Sequence, residues 1–305
     1  MATKGIILAS FGSIYGDAVE ASVGAMEKVI CEHCPGATVR RVFLSEALID
    51  KWNDKYETKV ETIEEAMDAC RLSGVTDLYI VPFALVSDQC YQQLRKQVLR
   101  YTHGHDRAFS RVSIGKPLLS SLGVKNYADD YAALIDSILK QLNVRVLNKA
   151  VLLMANGQNQ LEYSTLQLKC MYGNAPNMAV FTSNGFPTFK QALSYLERVG
   201  HKDVVVVPLA LIGSAHLMDY LGGDRPDSIY ALLAKEGYRV EIWNEGLGEN
   251  PYVQELFLRQ LEQSIRMNER KQASYGSYAS RPPERSGGDT EGRFMKRKDS
   301  FESAI

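Results

Sequence analysis

One stretch of this chain occurs twice, and this repeat limits the possible folds more than any other feature of the sequence. Thr62–Val86 aligns without a gap on Thr188–Ile212, and Thr, Ala, Gly, Asp, Val, Pro, Ala and Leu coincide at an offset of 126, which is 188 minus 62. Lys4–Gly12 likewise matches Lys149–Gly157, with a glycine just after each apolar run. General similarity between βαβ units is the alternative explanation, but the gapless match favours an internal duplication.

Apolar runs alternate with amphipathic segments along most of the chain, a pattern that predicts an α/β fold with parallel sheets and helices on both faces of each sheet. In the two copies, Phe43 and Ser45 are matched with Phe181 and Ser183. The predicted strands are Gly5–Ser10, Thr38–Phe43, Leu78–Val86, Ala150–Ala155, Met178–Thr182 and Val204–Ile212. The predicted helices are Asp17–Glu32, Thr62–Leu72, Tyr163–Tyr172 and Thr188–Arg198.

The repeat divides the chain into an N-terminal half, residues 1–143, and a C-terminal half, residues 144–268. Two similar halves that face each other form a cleft, where small ligands usually bind. Residues 269–305 are rich in Ser, Gly, Arg, Asp and Glu and are expected to be a disordered tail. Ser300 follows basic residues, a placement that is typical of phosphorylated serines and also frequent by chance.

Composition excludes several classes of function. The formal net charge of -1 gives no basic surplus for binding nucleic acid, and no apolar run is long enough to cross a bilayer. The 5 cysteines do not form a disulfide framework, so a reducing, cytoplasmic location is expected. Phosphate-binding motifs and a GxSxG nucleophile motif are absent from the sequence.

Strand-end loops at equivalent places in the two copies are the predicted ligand site, because parallel sheets bind ligands at the carboxyl ends of their strands. After the first strand of each half come Ser10, Phe11, Gly12 and Ser13 in one copy and Asn156 and Gly157 in the other. After Pro82 and Pro208 come Ser87, Asp88, Gln89 and Cys90 in one copy and His216 in the other.

His216 and Cys90 occupy equivalent positions at the offset of 126 and are the candidate metal ligands. Imidazole, with a pKa near ~6.5, can bind a metal ion or accept a proton at neutral pH. A thiolate is a soft metal ligand. Structural roles stay open for both residues, since isolated histidines and buried cysteines often serve packing. The Cys31–Cys34 pair has the spacing of a redox or zinc pair, but a structural role is favoured there.

Several segments together resemble the anaerobic sirohydrochlorin cobaltochelatases, over residues 4–266. They are the SFG loop after the first strand, VRRVF at 39–43, PLALIGSAH at 208–216, LGGD at 221–224 and GLGENP at 246–251. The resemblance implies two flavodoxin-like, three-layer halves around a cleft that holds a tetrapyrrole. It also implies a lyase-type metallochelatase that inserts Co²⁺ or Fe²⁺ without ATP, with the metal as substrate, no tightly bound cofactor and a place in cobalamin or other tetrapyrrole biosynthesis.

The chain departs from the family at several site positions. Asn156 stands where the resemblance implies a metal-binding histidine, Gln160 where a further histidine often follows, and Gln89–Cys90 where an acidic pair is expected. Amides are poor bases near pH 7 but good hydrogen-bonding groups. The implied catalytic residues are therefore His216, Asn156 and Gln89, and the implied substrate-binding residues are Ser10, Phe11, Gly12, Ser13 and Gly157.

Two alternatives to a chelatase stay open at this stage. One is a non-catalytic protein that binds a tetrapyrrole or a metal on the same scaffold. The other is a different α/β enzyme, because a fold does not determine a function. The expected partner is a tetrapyrrole-like small molecule, without nucleic acid or membrane, and the sequence leaves assembly into a homo-oligomer open.

Overall fold

The computed structural model describes residues 3–104, 109–124, 127–142, 148–157, 159–173, 175–213 and 215–279. The first compact unit covers residues 1–265 and contains two four-stranded sheets, in which every pair of neighbouring strands is parallel. This architecture confirms the α/β fold predicted from the alternating pattern.

The two sheets have the same strand order. The first sheet has the order β2-β1-β3-β4, from strands β1 Lys4–Ser10, β2 Thr38–Phe43, β3 Asp77–Phe83 and β4 Arg111–Ile114. The second has the order β6-β5-β7-β8, from strands β5 Ala150–Ala155, β6 Met178–Thr182, β7 Asp203–Pro208 and β8 Arg239–Ile242. The edge strands β4 and β8 are additions to the predicted set.

Helices connect the strands in both halves. The first half has α1 Gly16–Val19, a π-helical segment Glu20–Gly24, α2 Ala25–His33, α3 Glu46–Lys55, α4 Ile63–Leu72, α5 Gln89–Gly104 and α6 Asp130–Leu142. The second has α7 Gln160–Tyr172, α8 Phe189–Val199, α9 Ala215–Gly222, α10 Ile229–Lys235, a 3₁₀ turn Leu247–Glu249 and α11 Pro251–Ala279.

The residues that coincide in the repeat have identifiable structural roles. Thr62 caps α4: its hydroxyl accepts the Glu65 N–H at 3.2 Å, while the Glu65 carboxylate accepts the Thr62 N–H at 2.8 Å. Thr188 and Gln191 form the same reciprocal pair at the start of α8, at 3.3 and 2.9 Å. The repeated threonine therefore marks a capping box that begins the same helix in each half.

Strand register confirms the correspondence of β1 with β5 and corrects one detail of the predicted alignment. Ser10 lies opposite Phe43, and its equivalent Ala155 lies opposite Thr182. Phe43 therefore corresponds to Thr182, and the predicted match with Phe181 was wrong by one residue. Because strand side chains alternate between faces, that shift places Phe43 and Phe181 on opposite faces of their sheets.

One hydrophobic core is shared by the two sheets. The inner face of each sheet contributes to it, through residues such as Leu8 and Leu153, and α6, α7 and α11 contribute further apolar side chains. From α11, the Phe257 ring packs on Phe83 of β3, with 4.8 Å between ring centroids. The outer faces have separate cores, covered by α4 and α5 in the first half and by α8, α9 and α10 in the second.

The described part of the second unit, which begins at Arg266, is helical and belongs to α11. The helix extends to Ala279, beyond residue 268, where the sequence predicts the folded region to end. Residues 269–279 consist mainly of Glu, Arg, Lys, Gln, Ala, Ser and Tyr, without the proline that would stop a helix. The predicted modification at Ser300 falls outside the described residues.

Among the described helices, none combines the length and the hydrophobicity that crossing a membrane requires.

The shared core predicts that both halves unfold together. The chain has 2 tryptophans, Trp52 in α3 and Trp243 after β8, so Trp52→Phe and Trp243→Phe variants each retain one fluorescent reporter. Within each variant, we expect the retained tryptophan's fluorescence and the far-UV circular dichroism to give the same urea midpoint. Phe257→Ala should lower the free energy of unfolding by about 3–5 kcal/mol for both reporters, because it opens a cavity in the shared core.

Tyr230→Ala is the control for this experiment, because Tyr230 is 46% exposed. It should change the stability by no more than about 0.5 kcal/mol. Different midpoints for fluorescence and circular dichroism within one variant would show that the halves unfold independently.

Candidate active site

A cleft of about 900 Å³ lies between the two halves, at the carboxyl ends of the strands of both sheets. Most of its lining comes from the loops that follow β1, β3, β5 and β7, which are the loops predicted from the repeat, and Leu44 after β2 and Ser183 after β6 add to it. The apolar runs of the sequence continue beyond strands β3 and β7, which end at Phe83 and Pro208. The residues after those ends, including Leu85, Val86 and Leu211, line the cleft, which explains why the predicted strands were too long.

The loop after β1 forms one wall with Phe11, Gly12 and Ser13. Phe11 is 53% exposed, so its ring is available to a ligand. Ser10, the last residue of β1, is fully buried and does not line the cleft. No hydrogen-bond partner for its hydroxyl occurs among the described residues.

The loop after β3 carries Asp88, Gln89 and Cys90, all of which line the cleft. The Asp88 Oδ1 atom accepts the Tyr91 N–H at 2.9 Å, which fixes the carboxylate at the start of α5. Among the described residues that line the cleft, Asp88 alone is an acid. Asp88 was predicted to lie in this loop but was not predicted to be a site residue. Its place as a helix-capping aspartate after an apolar strand was the signal for it.

Two neighbours of Asp88 keep their protons at neutral pH. Burial raises the pKa of the Tyr163 phenol to about 12, with further contributions from the Asp88 and Glu162 carboxylates. Burial also raises the pKa of the Cys90 thiol, and Asp88 adds to that shift. Binding a metal ion through the Cys90 thiolate would therefore release a proton, and any affinity that Cys90 supplies would increase as the pH rises.

The amide loop after β5 places Asn156 and Gly157 on the opposite wall. The Ser183 hydroxyl donates to the Asn156 Oδ1 atom at 3.0 Å. With its oxygen held in this way, the Asn156 side chain presents its NH₂ group as a hydrogen-bond donor. Asn159, at the start of α7, donates from Nδ2 to the Ser87 carbonyl oxygen at 3.4 Å and so links the two halves beside the cleft.

His216 is the second residue of α9, and Cys90 is the second residue of α5, which agrees with their predicted equivalence. Leu217 and Tyr220 of α9 line the cleft. The His216 side chain lies outside the described part of the structure. Among the side chains that are described, no group of three His, Cys, Asp or Glu residues could hold a metal ion, and this includes the Cys31–Cys34 segment.

The paired parallel sheets and the cleft between their carboxyl ends define an α/β protein with the fold of the class II chelatases. SirB, the sirohydrochlorin chelatase of Bacillus subtilis subspecies spizizenii solved with cobalt, matches with a TM-score of 0.59 and 18% identity, over 86% of this chain and 95% of SirB. SirB from Bacillus subtilis with Fe³⁺ matches with a TM-score of 0.57, the same identity and the same coverage.

A family model described as cobalt chelatase (CbiK) matches residues 4–266, and the chain therefore belongs to this family. The sirohydrochlorin cobaltochelatase of Salmonella typhimurium is 24% identical over 267 residues, which are 87% of this chain and 97% of that protein. The resemblance found in the sequence motifs is thus confirmed.

The two strand-end glycines predict a difference in stability between matched variants. Gly12 and Gly157 have φ angles of +97° and +110°, so an alanine at either position costs about 1–2 kcal/mol in backbone strain. A Cβ atom at Gly12 would also lie 2.6 Å from the Phe43 ring, whereas one at Gly157 would have no neighbour within 4 Å. In urea titrations, we expect Gly12→Ala to lose about 1–3 kcal/mol more than Gly157→Ala. Equal losses would contradict the crowding against Phe43.

Asp88→Asn should make Cys90 more reactive at mildly alkaline pH. The substitution removes a negative charge that disfavours the thiolate, so the pKa of Cys90 should decrease, while asparagine can still cap α5. Iodoacetamide labelling over a pH series, with peptide mass spectrometry, measures this reactivity. The exposed Cys31 is the internal reference, and its labelling should not change. An unchanged profile for Cys90 would show that Asp88 has no electrostatic effect on it.

Proposed function

We propose that this chain inserts a divalent metal ion, Co²⁺ or Fe²⁺, into sirohydrochlorin or a closely similar tetrapyrrole. The cleft of about 900 Å³, with the Asp88 carboxylate in the loop after β3, is the observation that carries the proposal. Sirohydrochlorin is chosen as the substrate because the chain belongs to the cobalt chelatase family and its relatives include sirohydrochlorin chelatases. The metal ion is a substrate in this proposal, as is the macrocycle.

Metal insertion needs groups that accept protons. A divalent ion that enters the free macrocycle displaces two pyrrole N–H protons, so the reaction consumes the ion and the free base and yields the metal complex and two protons. Asp88 provides a carboxylate that can accept one proton or hold the incoming ion. Tyr163 and Cys90, whose pKa values are raised, are protonated at neutral pH and do not serve as bases there.

His216 is the proposed metal ligand and second proton acceptor. It begins α9 at the position equivalent to Cys90 in α5, and the next residue, Leu217, lines the cleft. Imidazole is a good ligand for cobalt and iron in its neutral form. Cys90 could add a thiolate ligand only after it loses its proton, which favours His216 as the principal ligand at neutral pH.

The neutral groups of the cleft suit the macrocycle and its carboxylate substituents. Phe11 and Tyr15, which are 53% and 37% exposed, offer aromatic faces to a flat ring. The Asn156 NH₂ group, oriented by Ser183, can donate to a substrate carboxylate, and Gln89 at the start of α5 can donate in the same way. In this proposal both amides bind and orient the substrate and accept no protons.

Gly12, Gly157 and Ser13 complete the proposed substrate site. The two glycines let the chain turn sharply after β1 and β5, so that backbone N–H groups can approach a carboxylate closely. Ser10, buried beneath the first of these loops, has a supporting position and would not touch the substrate.

An anaerobic absorption assay tests the proposal. Purified protein is mixed with sirohydrochlorin and Co²⁺, and the spectrum of the metal complex is followed against a protein-free control. We expect faster insertion with the protein. Asp88→Asn should reduce the initial rate by about 10²-fold at pH 7, because it removes a proton acceptor without changing the side-chain shape. His216→Ala should reduce it at least as much.

Asp50→Asn is the matched control, because Asp50 is an exposed acid on α3, away from the cleft lining. It should retain the wild-type rate. A shifted tetrapyrrole spectrum without acceleration would identify a binding protein and overturn the proposed catalysis. Absence of any spectral change would overturn this choice of ligand.

A further inference from the structure

Helix α7 has apolar side chains on two opposite faces. Tyr163, Leu166 and Cys170 are buried in the shared core. On the other side, Leu161 is 77% exposed, Leu168 is 52% exposed and Tyr172 is 83% exposed. A surface helix normally has polar residues opposite its buried face, so this exposed apolar stripe is evidence of an interaction surface.

The exposed stripe has the spacing of a helix–helix seam. Leu161, Thr165, Leu168 and Tyr172 follow one another at steps of four, three and four residues, which is the a/d spacing of a heptad repeat. Residues at these steps line one side of a helix, and they pack into the same kind of stripe on a facing helix. We call these four residues the α7 seam.

The α7 seam is complementary to itself in antiparallel orientation. With the twofold axis midway along the seam, Leu161 of one copy faces Tyr172 of the other, and Thr165 faces Leu168. Each large side chain at one end thus meets a large one at the other end. This is the form of an isologous contact, in which the same surface is used by both copies.

Charge also favours the antiparallel arrangement. Glu162 and Lys169 are seven residues apart, two helical turns, and therefore flank the α7 seam on the same side. In an antiparallel pair, Glu162 of each copy approaches Lys169 of the other, whereas in a parallel pair this flank of each helix lies on opposite sides of the interface and the two charges do not meet. The Lys169 ammonium group already donates a hydrogen bond to the Asp129 Oδ2 atom of its own chain at 2.5 Å. Because an ammonium group has three donors, it can also bind a second carboxylate.

The apolar surface continues onto the loop beside α7. The Lys169–Asp129 pair and the bridge between Leu122 and Asp129 hold this loop next to the helix. Leu122 and Tyr127 in the loop are 51% and 60% exposed. Together with the α7 seam they extend the exposed apolar surface beyond the helix.

We propose that two copies of this chain associate through their α7 seams in antiparallel orientation. This association uses the outer surface of α7 and is independent of the reaction proposed for the cleft.

Sedimentation velocity with a matched pair of variants tests the association. Wild-type protein at micromolar concentration should sediment as two chains of 34.0 kDa each. Leu161→Gln/Leu168→Gln should sediment as one chain. Leu72→Gln/Leu99→Gln is the control, because those leucines are 78% and 49% exposed on α4 and α5, and it should remain a dimer. Far-UV circular dichroism shows whether each variant is folded.

A single-chain mass for the wild-type protein would overturn the proposal and leave the surface for a different macromolecule. Equal dissociation of the Leu161→Gln/Leu168→Gln and the Leu72→Gln/Leu99→Gln variants would also overturn the proposal. Cross-linking tests the orientation: under mild oxidation, a mixture of Leu161→Cys and Tyr172→Cys chains should form a disulfide-linked pair that neither variant forms alone. Cross-linking of Leu161→Cys to itself would show a parallel pair and contradict the antiparallel arrangement.

Discussion

Packing of both sheets against one shared core is the constraint on which the rest of the molecule depends. The inner face of each sheet contributes strand residues to this core, and α11 contributes Phe257, whose ring packs on Phe83. Phe83 is the last residue of β3, directly before the loop that carries Asp88. A buried contact thus supports the loop that supplies the acid, so that the stability of the core and the shape of the cleft are linked.

Much of the fold could be predicted because central parallel strands are buried on both faces and therefore appear as continuous apolar runs. The bounds of β2, β5 and β6 agree with the predicted ones. The edge strands β4 and β8 are short and only partly buried, so their sequences show no such run. The mismatch between Phe43 and Phe181 has another cause: residue identity suggested an alignment, but hydrogen-bond register determines which face a side chain occupies.

The site could be predicted less completely. The repeat was enough to identify the loops, because equivalent strand ends must meet at the same edge of each sheet. It did not select Asp88, because the acid was expected at the next two positions, where Gln89 and Cys90 stand. The hydrogen bond from the Tyr91 N–H to Asp88, and the burial that raises the pKa of Tyr163, depend on tertiary structure and have no signature in the sequence alone.

The chemistry of the cleft is compatible with metal insertion by a chain that has amides where the sequence resemblance implies histidines. Insertion releases two protons, and in our proposal each half supplies one acceptor: Asp88 before α5 and His216 within the first turn of α9. Because Cys90 and Tyr163 keep their protons at neutral pH, Asp88 is the charged side chain among the described cleft residues. A single carboxylate attracts a dication but cannot neutralise its charge. In our proposal the ion is therefore held weakly enough for the macrocycle to take it, which is what a catalyst of insertion, unlike a metal store, requires.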